Sequence, residues 1–119
     1  MNYRSLALLL LLTALVIVLP SCGNGHSGET YILISTNVKV PYWQSASAGF
    51  SQAGGRLGVG YAFNGPDTYD PGAERTTFDA VIEKKPSGIL VSVADPAVMK
   101  DSIDRAIAAG IPVITIDSD

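Results

Sequence analysis

From Tyr31 onward the apolar positions alternate between two periods. Tyr31-Ile32-Leu33-Ile34-Ser35-Thr36 is a nearly unbroken apolar run rich in β-formers, the pattern of a strand covered on both faces. After Pro41 the period lengthens. Trp43, Ala46, Phe50, Ala53 and Leu57 recur at steps of three or four residues, which stacks them on one side of a helix. Pro41 suits the first helical position, where its missing N–H is not required, and Gly58 or Gly60 can end the helix. Gly54-Gly55 inside it works against regularity. Tyr61-Ala62-Phe63 predicts a shorter second strand, stopped by the turn-rich Asn64-Gly65-Pro66-Asp67. A second helix is expected from about Gly72 to Lys85, with Phe78, Val81 and Ile82 inward and Pro86 halting it. Gly88-Ile89-Leu90-Val91-Ser92-Val93 predicts a third strand. Pro96 opens a third helix that turns Met99, Ile103, Ala106, Ile107 and Gly110 to one side, and Pro112-Val113-Ile114-Thr115-Ile116 predicts a fourth strand.

Strands alternating with helices at this spacing imply parallel pairing through right-handed crossovers. The expected class is α/β, a parallel doubly wound, Rossmann-like sheet. Ligands of such sheets bind beyond the carboxyl ends of the strands, near a topological switch point. That rule selects the loops at 37–43, 64–70, 94–96 and 117–119.

The amino terminus obeys a different pattern. A polar start with Arg4 leads into an apolar run from Leu6 to Leu19, interrupted only by Thr13 and too short for the roughly 18–20 residues of a membrane span. It reads as the core of an export signal, residues 1–21. The ending Leu19-Pro20-Ser21-Cys22 resembles the lipobox of bacterial lipoproteins, with an apolar residue at −3 and a small one before the cysteine that receives the lipid. This resemblance implies lipidation at Cys22 and placement in the cell envelope, on the periplasmic or outer membrane face. An ordinary signal peptide with an incidental cysteine and an uncleaved anchor are the alternatives, and both also put the domain outside the cytoplasm. Residues 22–29, with three glycines and no large apolar side chain, read as a flexible tether, and His26 within it as a solvated spacer. The folding part is then residues 30–119.

Composition narrows the chemistry. Hydrophobic residues make up 47% of the chain and charged residues 16%, which fits a globular domain plus one apolar segment. Taking Arg4 away with the leader moves the formal charge from −3 to −4, so nucleic acid is not an expected partner. One Cys and one His supply neither a disulfide nor a structural zinc site, and no cofactor or metal is assigned. A dinucleotide site needs a glycine-rich turn after the first strand, and that loop, Thr36-Asn37-Val38-Lys39-Val40-Pro41, contains none. Gly54-Gly55-Arg56-Leu57-Gly58-Val59-Gly60 ends a helix instead of opening one and is turn material. No Gly-x-Ser-x-Gly elbow is present, and Asp67 and Asp70 in a Gly/Pro-rich turn read as local caps, not an acid/base pair. The chain is not expected to be an enzyme.

Two features remain at the selected loops: the aromatic pair Tyr42-Trp43 at the mouth of the first helix, and the polar cluster Asp117-Ser118-Asp119 after the fourth strand. A sugar offers C–H faces that pack on aromatic rings and hydroxyls that suit a carboxylate. Trp43 also opens the apolar stripe of its helix, and Asp117 can be a simple loop cap, so a packing role stands beside the binding role at both positions.

Tyr31-Ile-Leu-Ile-Ser-Thr, Pro41-Tyr42-Trp43, Gly88-Ile-Leu-Val-Ser and Ala109-Gly-Ile-Pro-Val-Ile-Thr-Ile-Asp117-Ser-Asp119 resemble the amino-terminal lobe of periplasmic sugar-binding proteins of the ribose-binding type, the solute receptors of ABC importers. The resemblance covers about Glu29 to Asp119. It implies that Tyr42 and Trp43 sandwich a sugar ring and that Asp117, with Ser118 beside it, binds sugar hydroxyls. Val40 and Ser118 stand where ribose binders carry Asn and often Arg, a loss of hydrogen-bonding capacity that points away from ribose itself and leaves the sugar class. The family encloses its ligand between two similar lobes, so the chain is expected to be a truncated first lobe that supplies half a cleft. The expected function is delivery of a monosaccharide or related polyol to an ABC permease, from a lipid-anchored position. A sugar or autoinducer receptor for a membrane sensor kinase is the alternative.

Overall fold

The structure is a computed structural model and describes residues 25–117. The export signal, Cys22 and Ser118 lie outside the described residues. Four strands and three helices alternate: β1 (Thr30–Ile34), α1 (Pro41–Leu57), β2 (Gly60–Asn64), α2 (Pro71–Ile82), β3 (Gly88–Val91), α3 (Pro96–Ala108) and β4 (Val113–Thr115). All pairings are parallel and the sheet order is β2-β1-β3-β4. The expected α/β class and parallel winding are therefore present.

Register divides the side chains between two faces. Ile32 stands beside Ala62 and Ile89, and Ile89 beside Val113, while Ile34 stands beside Val91. These residues face α2 and α3 and join Phe78, Val81, Met99, Ala106 and Ile111 in one core. The other face carries Tyr31, Leu33, Tyr61, Phe63 and Leu90, and α1 packs there against β2 and β1. β1 and β3 lie between neighbours, which is why Ile32, Leu33, Ile34, Ile89 and Val91 are all buried.

Several boundaries are shorter than the apolar runs. β1 and β3 end at Ile34 and Val91, beyond which Ser35 and Ser92 each keep one cross-strand N–H bond, to the Asn64 and Ile34 carbonyls, and α2 ends at Ile82, three residues before Lys85, whose φ of 51° no helix accommodates. The expected stripe of α1 is only partly inward: Trp43 is buried, Phe50 half-buried, and Ala53 and Leu57 exposed. Ile107 of α3 is likewise exposed. Periodicity finds the apolar side of a helix but not how much of that side another element covers. Gly54, in contrast, is buried, because a Cβ there would stand 2.5 Å from the Tyr61 ring; the glycine lets α1 settle on β2. Gly58, with φ 69°, is the left-handed cap that closes the helix. Residues 25–28 form a turn rather than plain spacer. Glu29 N–H donates to the His26 carbonyl, and the Glu29 carboxylate binds both the His26 ring and the Tyr31 hydroxyl. Among the described residues no helix is long and apolar enough to cross a membrane.

Candidate functional site

In a parallel α/β sheet each helix runs back against the strands, so all three helix N-termini gather at the strands' carboxyl ends. β1 leads to β2 on one side and β3 to β4 on the other, which places the switch point between the ends of β1 and β3. The loops selected from sequence meet there. Val38 N–H donates to the Pro66 carbonyl at 2.9 Å and Lys39 pairs with Asp67 at 3.6 Å, tying the β1–α1 loop to the β2–α2 loop. Within the first loop, Asn37 Oδ1 accepts from Lys39 N–H and the Gln44 side chain donates to the Val38 carbonyl.

Tyr42 stands in the first turn of α1 behind Pro41, and its hydroxyl donates to Asp117 Oδ1 at 2.9 Å across 75 residues of sequence. That bond raises the Tyr42 phenol above its ordinary value, since the adjacent carboxylate favours the protonated donor. Asp117 reaches this position because Ile116 N–H bonds the Val91 carbonyl, which carries the chain past the end of β4, and because Asp117 itself adopts φ 66°, a left-handed conformation that Asp tolerates better than most residues. Tyr42 is 59% exposed. Trp43 is 5% exposed and lies edge-on to Tyr42, with ring centroids 5.0 Å apart at 83°. The structure thus brings Tyr42 and Asp117 together, sets Trp43 behind Tyr42 in the packing layer, and leaves Asp117 one oxygen free of Tyr42.

Asp70 accepts from Ala73 N–H and caps α2, which is the local role expected of it. Among the described residues no group of three or more His, Cys, Asp or Glu side chains is arranged to hold a metal ion.

Sequence reasoning passed over two residues at this end. Glu74, in the first turn of α2, is completely buried; its Oε2 accepts from Ala94 N–H at 2.9 Å while Oε1 has no partner. Tyr69 donates its hydroxyl to the carbonyl of the same Ala94 at 2.7 Å. The signal for Glu74 was present, since it precedes Phe78 and Val81 by four and seven residues and so falls on their apolar stripe. Tyr69 carried none, because a tyrosine in a turn gives no indication of its distant partner.

A model of the periplasmic binding protein domain matches residues 31–119. Among solved structures, the arabinose-binding protein AraP of Geobacillus stearothermophilus is 32% identical with a TM-score of 0.73, over 76% of this chain and 31% of that one. The sugar-binding protein of a sugar ABC transporter from Bacillus halodurans is 36% identical with a TM-score of 0.72, over 76% of this chain and 31% of that one. The XylFII-LytSN complex contains a chain 35% identical with a TM-score of 0.74, over 77% of this chain and 33% of that one. The chain spans about a third of the length of these structures. With its four-stranded parallel sheet laid out as one lobe of those proteins, the chain belongs to the periplasmic binding protein domain family.

Proposed function

We propose that this chain is the amino-terminal lobe of an extracytoplasmic sugar-binding protein, held to the envelope by a lipid on Cys22, that delivers a monosaccharide or related polyol to an ABC permease. The single observation that carries this reading is the Tyr42–Asp117 pair: an exposed aromatic ring and a carboxylate, 75 residues apart in sequence, meet at the switch point of a doubly wound sheet. The ring offers a face to sugar C–H groups. The carboxylate accepts from sugar hydroxyls, and the hydrogen bond from Tyr42 fixes its orientation before ligand arrives. Trp43 backs the Tyr42 ring, and Ser118, next along the chain, adds a hydroxyl. Likeness to sugar-binding proteins above 30% identity supports the ligand class. A sugar or autoinducer receptor for a membrane sensor kinase is the second reading, favoured by the likeness to the chain solved in the XylFII-LytSN complex.

The test is calorimetry on a form carrying both lobes, with L-arabinose, D-ribose and D-tagatose as probes. At least one sugar is expected to bind. Asp117→Ala should weaken it about tenfold or more, because buried ligand hydroxyls lose a charged acceptor. Tyr42→Ala should weaken it too, with little change in folding given the exposure of that side chain. Binding of none of the sugars, or binding indifferent to both substitutions, would refute the reading.

A further inference from the structure

An uncompensated carboxylate in a protein core asks for an explanation. Glu74 is fully buried, none of the ion pairs among the described residues includes it, and one of its two oxygens has no hydrogen-bond partner. A hydrophobic side chain of similar volume in such a place is often as stable or more so. What the carboxylate does hold is one backbone N–H. Ala94 N–H donates to Glu74 Oε2 at 2.9 Å, and the Ala94 carbonyl accepts the Tyr69 hydroxyl at 2.7 Å. Glu74 belongs to α2 and Tyr69 to the loop before it, so the two successive peptide groups that flank the Ala94 Cα are gripped by one neighbouring unit.

The position of Ala94 gives the grip its meaning. Ser92 N–H bonds the Ile34 carbonyl and Ile116 N–H bonds the Val91 carbonyl, so the ends of β1, β3 and β4 lie side by side, with Ala94 two residues beyond Ser92 and Asp117 one beyond Ile116. Ala94 is followed at once by Asp95, whose side chain accepts from Ala97 and Val98 N–H and so fixes where α3 begins. A displaced Ala94 would therefore shift the start of α3 beside the strand ends that lead to Asp117.

We propose that Glu74 is a positioning residue of the candidate cleft: with Tyr69 it clamps the backbone on both sides of the Ala94 Cα and locks the β3–α3 loop to the β2–α2 loop at the carboxyl end of the sheet. Its importance for ligand rests on the sugar-binding reading above; the clamp itself does not. The uncharged form keeps the clamp, because a proton carried on the partnerless Oε1 leaves Oε2 free to accept, and burial, which pushes this carboxyl up to about 7, makes that form accessible.

Amide hydrogen exchange of the ligand-free full chain tests the clamp, and the calorimetry above tests its consequence. Glu74→Leu removes the acceptor while keeping volume. Ala94 N–H should then exchange about tenfold faster, as for loss of one hydrogen bond to a charged acceptor, with Ile89 and Val91 unchanged. Glu74→Gln, which keeps an acceptor oxygen, should restore protection. In the two-lobed form, Leu should weaken the sugar that binds by about tenfold and Gln should recover most of the affinity. Tyr69→Phe alters an exposed side chain and folds even if the Leu variant does not. It should loosen the same amide by about threefold, the effect of a neutral hydrogen bond at the low end of its range. Ala94 exchange unchanged in Tyr69→Phe and in any Glu74→Leu protein that folds, or accelerated no more than the core amides, overturns the clamp. Loss of Ala94 protection with unaltered sugar affinity overturns the positioning role. If no sugar binds the parent protein, the functional reading and the positioning role both fall, and the exchange result still decides the clamp.

Discussion

Glu74 also makes the folded state prefer a proton. Its carboxyl is raised from an ordinary 4.5 to about 7, chiefly because burial penalises the charged form, with the Ala94 N–H opposing that shift. Between those pH values the native chain binds a proton that the unfolded chain does not. This contribution to stability is therefore complete below about pH 4.5 and is lost as pH rises through 7, with a ceiling on the order of 3 kcal/mol. Denaturant unfolding at about pH 5 and pH 8 should show the parent chain losing more stability across that interval than Glu74→Gln; equal losses would show that Glu74 does not titrate there. Two other residues illustrate how single positions are constrained from outside their own segment. Gly54 is a glycine because the Tyr61 ring occupies the space of a Cβ, and Gly65, at φ 153°, because a Cβ would run into the Ser35 carbonyl. Tyr61 lies seven residues from Gly54 and Ser35 thirty from Gly65, each in another segment, so Gly54 reads from the chain only as an irregularity and Gly65 only as turn material.

At the scale of elements, the three helices begin with Pro at their first turn but are capped differently. Asp70 and Asp95 accept backbone N–H groups at the starts of α2 and α3, whereas Val40, before α1, provides no side-chain cap. The uncapped helix is the one that offers Tyr42 to the cleft. Asp95 accepts from two amides, at 2.8 and 3.3 Å, against one for Asp70 at 3.0 Å. Asp95→Ala should accordingly cost about 1 kcal/mol or somewhat more and Asp70→Ala no more than that, as read from thermal or denaturant unfolding. A smaller loss at Asp95 than at Asp70 would mean that the second bond adds nothing. Element types were legible from period and proline placement. Their ends were not, because the β-branched Thr36 and Val93 continue a strand-forming composition beyond Ile34 and Val91, where β1 and β3 end.

For the molecule as a whole, the sheet is covered unevenly. α2 and α3 seal one face, while on the other α1 reaches β2 and β1 and leaves Ile114 of β4 at 59% exposure and Leu90 half-buried. β4 is an edge strand, and beside it Val93, Pro96, Ile103 and Thr115 line a groove of about 300 Å³. An apolar strand edge invites pairing with another chain. The 119-residue chain, freed of its first 21 residues, should therefore self-associate at high concentration, and Ile114→Lys should reduce that association in sedimentation experiments. A monomer at every concentration, or association indifferent to the lysine, would count against the open edge.

By itself the sequence determined the order of the elements, the parallel doubly wound class and the end of the sheet at which to look, because these follow from local period, turn chemistry and the handedness of crossovers. It also singled out Tyr42 and Asp117 by residue type. Only the tertiary structure decided that their side chains bond to each other, that Trp43 stands behind Tyr42 in the packing layer, that Leu57, Ile107 and Ile114 stay exposed, and that Glu74 is buried with a single hydrogen bond. Each of these depends on which distant segment arrives on a given face. The period of a chain states which side of an element is apolar, whereas contact across 20 or 75 residues is a property of the assembled sheet.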